Sequence, residues 1–169
     1  MEEITIGTEE WISQVQEEIV DPDSKIIDPH HHLWDDRGST YLVEELKSDT
    51  GSGHNIVKTV FMECGWSYKK DGPKHLKVVG ETEAVVEQAN KSKETEGAII
   101  SAIVSRADLR LGEEVIEVLE AHQEVSQGLF RGIRHAGARA EHPEVLTIPG
   151  GAPEGLFQDP NFLTGLKVL

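Results

Sequence analysis

The run Asp28-Pro29-His30-His31-His32 follows directly on the apolar pair Ile26-Ile27 and gathers residue types that bind metal ions. In an extended segment side chains alternate sides, so His30 and His32 share a face and His31 takes the other. Two imidazoles so spaced can share one ion, and neutral imidazole suits zinc and its neighbours, at Zn–N distances of about 2.0–2.1 Å. Asp28 has the same parity; it either supports His30 as an acceptor behind the ion or simply ends the strand. The same tract in a solvated loop would carry no such chemistry. A cloning tag is disfavoured, because the run is internal and short.

Further candidates lie where other strand-like segments end. Glu63 closes the segment Ile56 to Met62 and either orients a ligand or makes a helix-facing salt bridge. Arg131, Arg134 and His135 fall in the segment Leu129 to His135. Arginine offers a planar fork that grips carboxylates through two hydrogen bonds, which points to an acidic small-molecule substrate. Parity puts Arg131 and His135 on one face and Arg134 on the other, and the pattern does not say which face lines a site. Glu63, Arg134 and His135 are the catalytic candidates, beside His30 and His32 as metal ligands. His54, His75, His122 and His142 read as ordinary surface residues. Glu81 and Glu83, near a helix start, are accounted for by the helix dipole. Cys64 has no activating base in the sequence around it and reads as a small buried residue. Trp34 and Trp66 follow strand ends and read as packing residues.

The elements that must position these residues alternate. After Thr8, a candidate N-cap, Trp11, Ile12, Val15 and Ile19 recur at helical spacing until Asp21-Pro22-Asp23-Ser24, giving a helical arm over residues 1–24. A short strand at Lys25 to Asp28 is followed by a brief helix marked by Leu42, Val43 and Leu46. Ile56 to Met62 reads as a strand. Val78, Thr82, Val85, Val86 and Ala89 then share one helical face. Ala98 to Val104 is an apolar run suited to a parallel strand covered on both faces. Val115, Ile116, Val118 and Leu119 form an inward face beneath Gly112, Leu129 to His135 forms a fourth strand, and a long loop leads to Asp159-Pro160, which opens a last helix.

Four strand–helix rounds argue for an α/β fold with a parallel sheet and right-handed crossovers. One architecture is a small doubly wound sheet. The other is a (β/α)8, or TIM-type, barrel cut to its first four units over residues 25–169, since a full barrel needs about 250 residues. The chain also ends in a helix without a C-cap, which reads as a truncation. Composition narrows the partners: 31 acidic against 16 basic residues give a net charge of -15, which disfavours nucleic acid and anionic membranes. The single cysteine excludes an internal disulfide, and the acidic start does not resemble a signal peptide, so a cytoplasmic protein is expected.

The string Ile27-Asp28-Pro29-His30-His31-His32-Leu33-Trp34-Asp35 resembles the first-strand signature of the amidohydrolase-related family of barrel hydrolases. Thr59-Val60-Phe61-Met62-Glu63, Val79-Gly80-Glu81-Thr82-Glu83 and Phe130-Arg131-Gly132-Ile133-Arg134-His135 follow in that family's order and spacing. The resemblance runs from about residue 26 over nearly the whole chain. It implies hydrolysis of a lactone or amide, or in some relatives decarboxylation, at a mononuclear site holding Zn2+ or Mn2+, with metal-independent relatives also known. It favours Arg134 as the site arginine. It further implies one or two His from the fifth and sixth strands and an Asp from the eighth, beyond the four units here, so the chain alone is expected to be inactive. The alternative is a non-catalytic half-barrel that self-associates as a homo-oligomer through its open sheet edges.

Overall fold

The computed structural model describes residues 5–142 and 151–169. Four strands, β1 (Ile26–His31), β2 (Ile56–Met62), β3 (Ile99–Arg106) and β4 (Phe130–Arg134), form one sheet in that order, and every neighbouring pair is parallel. Helices α2 (Val43–Thr50), α3 (Val79–Glu94) and α4 (Val115–Val125) connect successive strands, and α5 (Pro160–Val168) follows β4. The remaining helix, α1 (Glu9–Ile12), lies in the N-terminal arm.

Burial follows from the residue pattern. In β2, Thr59 and Phe61 are buried while Lys58 is exposed, the alternation of a strand covered on one face. The buried side receives Val85, Val86 and Ala89 of α3, which join Leu33, Phe61 and Ile103 in one core. A second core gathers Leu109, Val115, Val118, Leu156 and Phe162 around α4 and α5. The carboxylate of Asp159 caps α5, accepting from the backbone N–H of Asn161 at 2.8 Å and of Phe162 at 3.1 Å, with Pro160 at the first helical position.

Helices α2, α3, α4 and α5 pack on one another in turn, so they form a single layer. Ser105 reaches Thr82 of α3, and Phe130 stacks on His122 of α4, which fixes the helix-covered side of the sheet. Met62, Val104 and Gly132, aligned across β2, β3 and β4, therefore face the other side, where no described helix lies. This sequential order with one helix layer is compatible with part of an α/β barrel. A doubly wound sheet would instead reverse its order and carry helices on both faces.

Four expectations are corrected. Among the described residues the arm is helical only over Glu9–Ile12 and has no regular structure from there to Ser24, because Trp11, Val15 and Val20 are exposed and find no surface to pack on. Ile116 does not join the inward face of α4 but is 43% exposed. The third strand starts after Ala98 and runs on to Arg106, and the fourth excludes Leu129 and His135. Part of the loop expected between β4 and α5 lies outside the described residues.

Candidate functional site

The C-terminal tips of the four strands carry the chemistry. Asp28 accepts the backbone N–H of His30 at 3.0 Å, so it shapes the turn of the chain rather than holding the imidazole. His30 and His32 project to the same side, their Nε2 atoms 3.2 Å apart and their rings edge to face at 4.9 Å. His32 Nδ1 lies 2.8 Å from the carbonyl oxygen of Met62, and since a carbonyl only accepts, Nδ1 carries the proton. In the neutral ring Nε2 is then left with a free lone pair aimed at His30. Burial lowers the pKa of His32, which favours that neutral form, with the neighbouring His30 acting in the same direction. His31 points into the helix layer, edge-on to Phe61 at 5.8 Å, and burial lowers its pKa to about 4.

Two imidazole nitrogens at this separation fit two ligand positions on a tetrahedral ion bonded at about 2.0–2.1 Å. A hydrogen bond from His30 Nε2–H to His32 Nε2 accounts for the same distance. Among the described residues no group of three or more His, Cys, Asp or Glu side chains is arranged to hold a metal. The pair offers two converging imidazole nitrogens.

Glu63 and Arg134 meet beside it. Arg134 donates from Nε to Glu63 Oε1 at 2.7 Å and from Nη2 to the Glu63 carbonyl oxygen at 2.6 Å. Of the two readings weighed for Glu63, the helix-facing salt bridge is not what forms: its ion-pair partners are arginines at the strand tips, Arg134 of β4 and, at 3.9 Å, Arg106 Nη1 of β3. Both Glu63 and Arg134 act electrostatically on His32. The face left open by parity is thus assigned, with Arg134 on the side of His32. Arg131 is exposed and, among the described residues, donates only to the carbonyls of Gly128 and Phe130.

His135 packs edge-on against Phe162 of α5 at 5.2 Å, and its Nδ1 accepts the backbone N–H of Leu109 at 3.1 Å. It anchors the 3-10 turn Leu109–Glu114 and is not brought to the imidazole pair. Burial lowers its pKa, in keeping with a ring whose Nδ1 accepts.

Two further residues depart from the sequence reading. Glu81, ascribed to the helix dipole alone, is 1% exposed, and its Oε1 accepts the backbone N–H of Cys64 at 2.9 Å and of Trp66 at 2.8 Å. His122, expected at the surface, is fully buried in a directional chain. Its Nε2 donates to the Arg106 carbonyl at 3.0 Å, so Nδ1 accepts from the Thr82 hydroxyl at 2.8 Å, and Thr82 in turn accepts from Ser105 at 2.8 Å. Cys64 matches its expectation: it is partly buried, and burial together with Glu81 raises the pKa of the thiol.

The loops after β1 and β2 are tied together at this end. Arg37 Nη2 donates to the Cys64 carbonyl at 2.6 Å, and Trp66 Nε1 donates to Asp35 at 2.8 Å. Arg106 was missed as a site residue, although it ends β3 as Arg134 ends β4 and the same strand-tip argument covers it. Clefts of about 180 and 440 Å3 lie elsewhere, one beside Phe157 and one between the arm and His54.

Comparisons with protein-family models, with curated proteins and with solved structures return no match for this chain.

Proposed function

We propose that this chain carries the first part of an amidohydrolase-type site, acting on a lactone or amide bond of a small carboxylated substrate. The supporting observation is the pair of Nε2 atoms 3.2 Å apart, with the His32 proton fixed on the opposite nitrogen by Met62. A divalent ion, Zn2+ or Mn2+, held there and by ligands outside these four strand–helix units would supply Lewis acidity and an activated water. The chain's own residues do the rest of the work assigned here. His30 and His32 offer neutral nitrogens. Glu63 holds Arg134 beside them, and the donors of Arg134 not engaged by Glu63 meet the substrate's carboxylate.

Zinc uptake after chelation, measured by equilibrium dialysis and elemental analysis, tests this reading. Stoichiometric zinc in the parent chain and at least about tenfold weaker binding in both His30→Ala and His32→Ala are expected. Equal zinc binding in all three proteins would reject it.

A second reading, assembly of copies through the sheet, has its own support. β1 and β4 each pair on one side only among the described residues, and an unpaired parallel edge offers a row of backbone donors and acceptors to another chain. Sedimentation equilibrium across a hundredfold concentration range decides it: a monomer throughout removes this reading.

A further inference from the structure

Strands β2 and β3 each pair on both sides, whereas β1 and β4 are paired on one side only among the described residues. All four run in the same direction and in sequence order beneath one layer of helices, so the two open edges bound one sheet and point the same way. The face away from the helices is apolar. Val60 and Met62 of β2 stand in register with Ala102 and Val104 of β3, and no described helix covers them. Where the helix layer ends, Leu163 and Leu166 of α5 are 41% and 49% exposed. The chain as a whole exposes 11397 Å2, against about 8,300 Å2 for a folded monomer of its 18.7 kDa. The unpacked arm supplies part of that excess of about 3,100 Å2. A permanent dimer buries about 1,000–2,500 Å2 of each partner, so about a third of the excess is enough for one.

The direction of the edges selects the occupant. An open edge of a parallel sheet takes a parallel strand, and the edge that β4 offers is the counterpart of the one that β1 offers. A single seam between two copies leaves two edges open, and the assembly grows. A two-fold axis along the strands makes two seams at once, β4 of each copy against β1 of the other, and leaves no edge. It keeps every strand parallel and makes a sheet of eight with the helices outside, the closed form in which inward side chains pack as a core. In that form alternate strands feed the same interior layer, and the two β1 strands face each other across the axis. His30 and His32, whose Nε2 atoms project together at the strand tips, then turn toward the partner's His30 and His32. The pair is short of ligands by itself. A catalytic zinc takes three from its protein, and no group of three or more is present among the described residues of one copy.

We propose that two copies of this chain close into one eight-stranded barrel and share a single divalent ion at its mouth, the His30–His32 pair of each copy completing that of the other. This rests on both readings given above and joins them, because the assembly supplies the ligands that the metal pair lacks. The seam also sets Arg134, at the tip of β4, next to the partner's imidazole pair, so the substrate's surroundings come from both copies.

The test is sedimentation equilibrium of the full chain combined with elemental analysis of zinc, at high salt to screen the repulsion between chains of net charge -15. A mass that stops at two copies across a wide concentration range is expected, with one zinc per two chains after chelation and reloading. Val104→Asp puts a charge inside the closed barrel but leaves it in water on a lone chain, so it should weaken association about tenfold or more, with near-ultraviolet circular dichroism unchanged. Should that variant fail to fold, the mass and zinc count of the parent still decide. Growth beyond two copies, parent-like association of folded Val104→Asp, or one zinc per chain within a dimer each overturns the proposal. The readings beneath it fail in different ways. A monomer at every concentration removes the assembly reading and this inference with it, whereas zinc binding unchanged in His30→Ala rejects the metal reading and the shared ion while the two-copy mass remains.

Discussion

Glu81 and Trp66 are joined across the base of the β2–α3 loop, the buried carboxylate accepting the Trp66 backbone N–H at 2.8 Å while the same oxygen takes that of Cys64 at 2.9 Å. The loop's path over the sheet is therefore set from beneath, by a side chain of the helix that follows it.

Glu81→Ala removes the acceptor from two backbone donors in the interior and leaves a void. Each orphaned donor costs about 1–3 kcal/mol, so a loss of about 2–4 kcal/mol is expected from the urea midpoint. Fast hydrogen exchange at the Cys64 and Trp66 amides should accompany it. Parent-like protection there would show that the clasp does not hold the loop.

His122 predicts the sign of an acid effect. Burial lowers its folded pKa below 6.5, and its Nδ1 must accept from Thr82. The unfolded chain therefore binds this proton at higher pH than the folded one. The resulting stability is complete above about pH 6.5 and is lost as pH falls below it. His122→Gln should flatten that part of the profile. His31, with its pKa lowered to about 4, titrates in the same sense and leaves a residual slope. An unchanged slope in His122→Gln counts against the buried neutral tautomer.

Gly165 lets α5 dock. A Cβ there would stand 2.1 Å from the Leu109 carbonyl oxygen and 2.9 Å from its carbon, and backbone cannot step aside as a side chain can. Gly165→Ala should cost about 3 kcal/mol or more, despite alanine's better helix propensity. A thermal midpoint equal to or above the parent's would show that the helix can shift at no cost.

Lys47 closes the end of α3. Its Nζ donates to the carbonyls of Ser92, Thr95 and Glu96, each at 2.8 Å, where the helix leaves carbonyls unpaired and the dipole is negative. Lys47→Met keeps the aliphatic stem and removes the charge, with an expected loss of about 1.5–3 kcal/mol by denaturant titration. Arginine, being bulkier and planar, should recover only part of it.

The strands and the convergence of His30 with His32 were legible because alternation needs only local geometry. The bounds of β2 follow directly from its β-branched and apolar run. The arm was not legible for the complementary reason: spacing at Trp11, Val15 and Ile19 describes a face, and a face forms a helix only where something packs against it. His122 sits in a segment with Glu120, Gln123 and Glu124, so its neighbours in sequence advertise a wet surface, while its partners Thr82 and Arg106 are distant along the chain. Glu81 was missed likewise, since a dipole at the helix start explains an acid there without the loop amides that bury it. His135 and Arg134 are adjacent in sequence, and the packing of Phe162 on His135 is what separates the surroundings of the two side chains.

The shared direction of the four strands divides labour between two poles of the molecule. At one pole the strands begin with apolar residues, Ile26, Ile56, Ile99 and Phe130, while the other gathers the imidazoles, guanidinia and Glu63. Substitutions at the inert pole can tune how long the protein lasts, and substitutions at the charged pole can tune what it recognises, with little cross-talk along the rigid strands between.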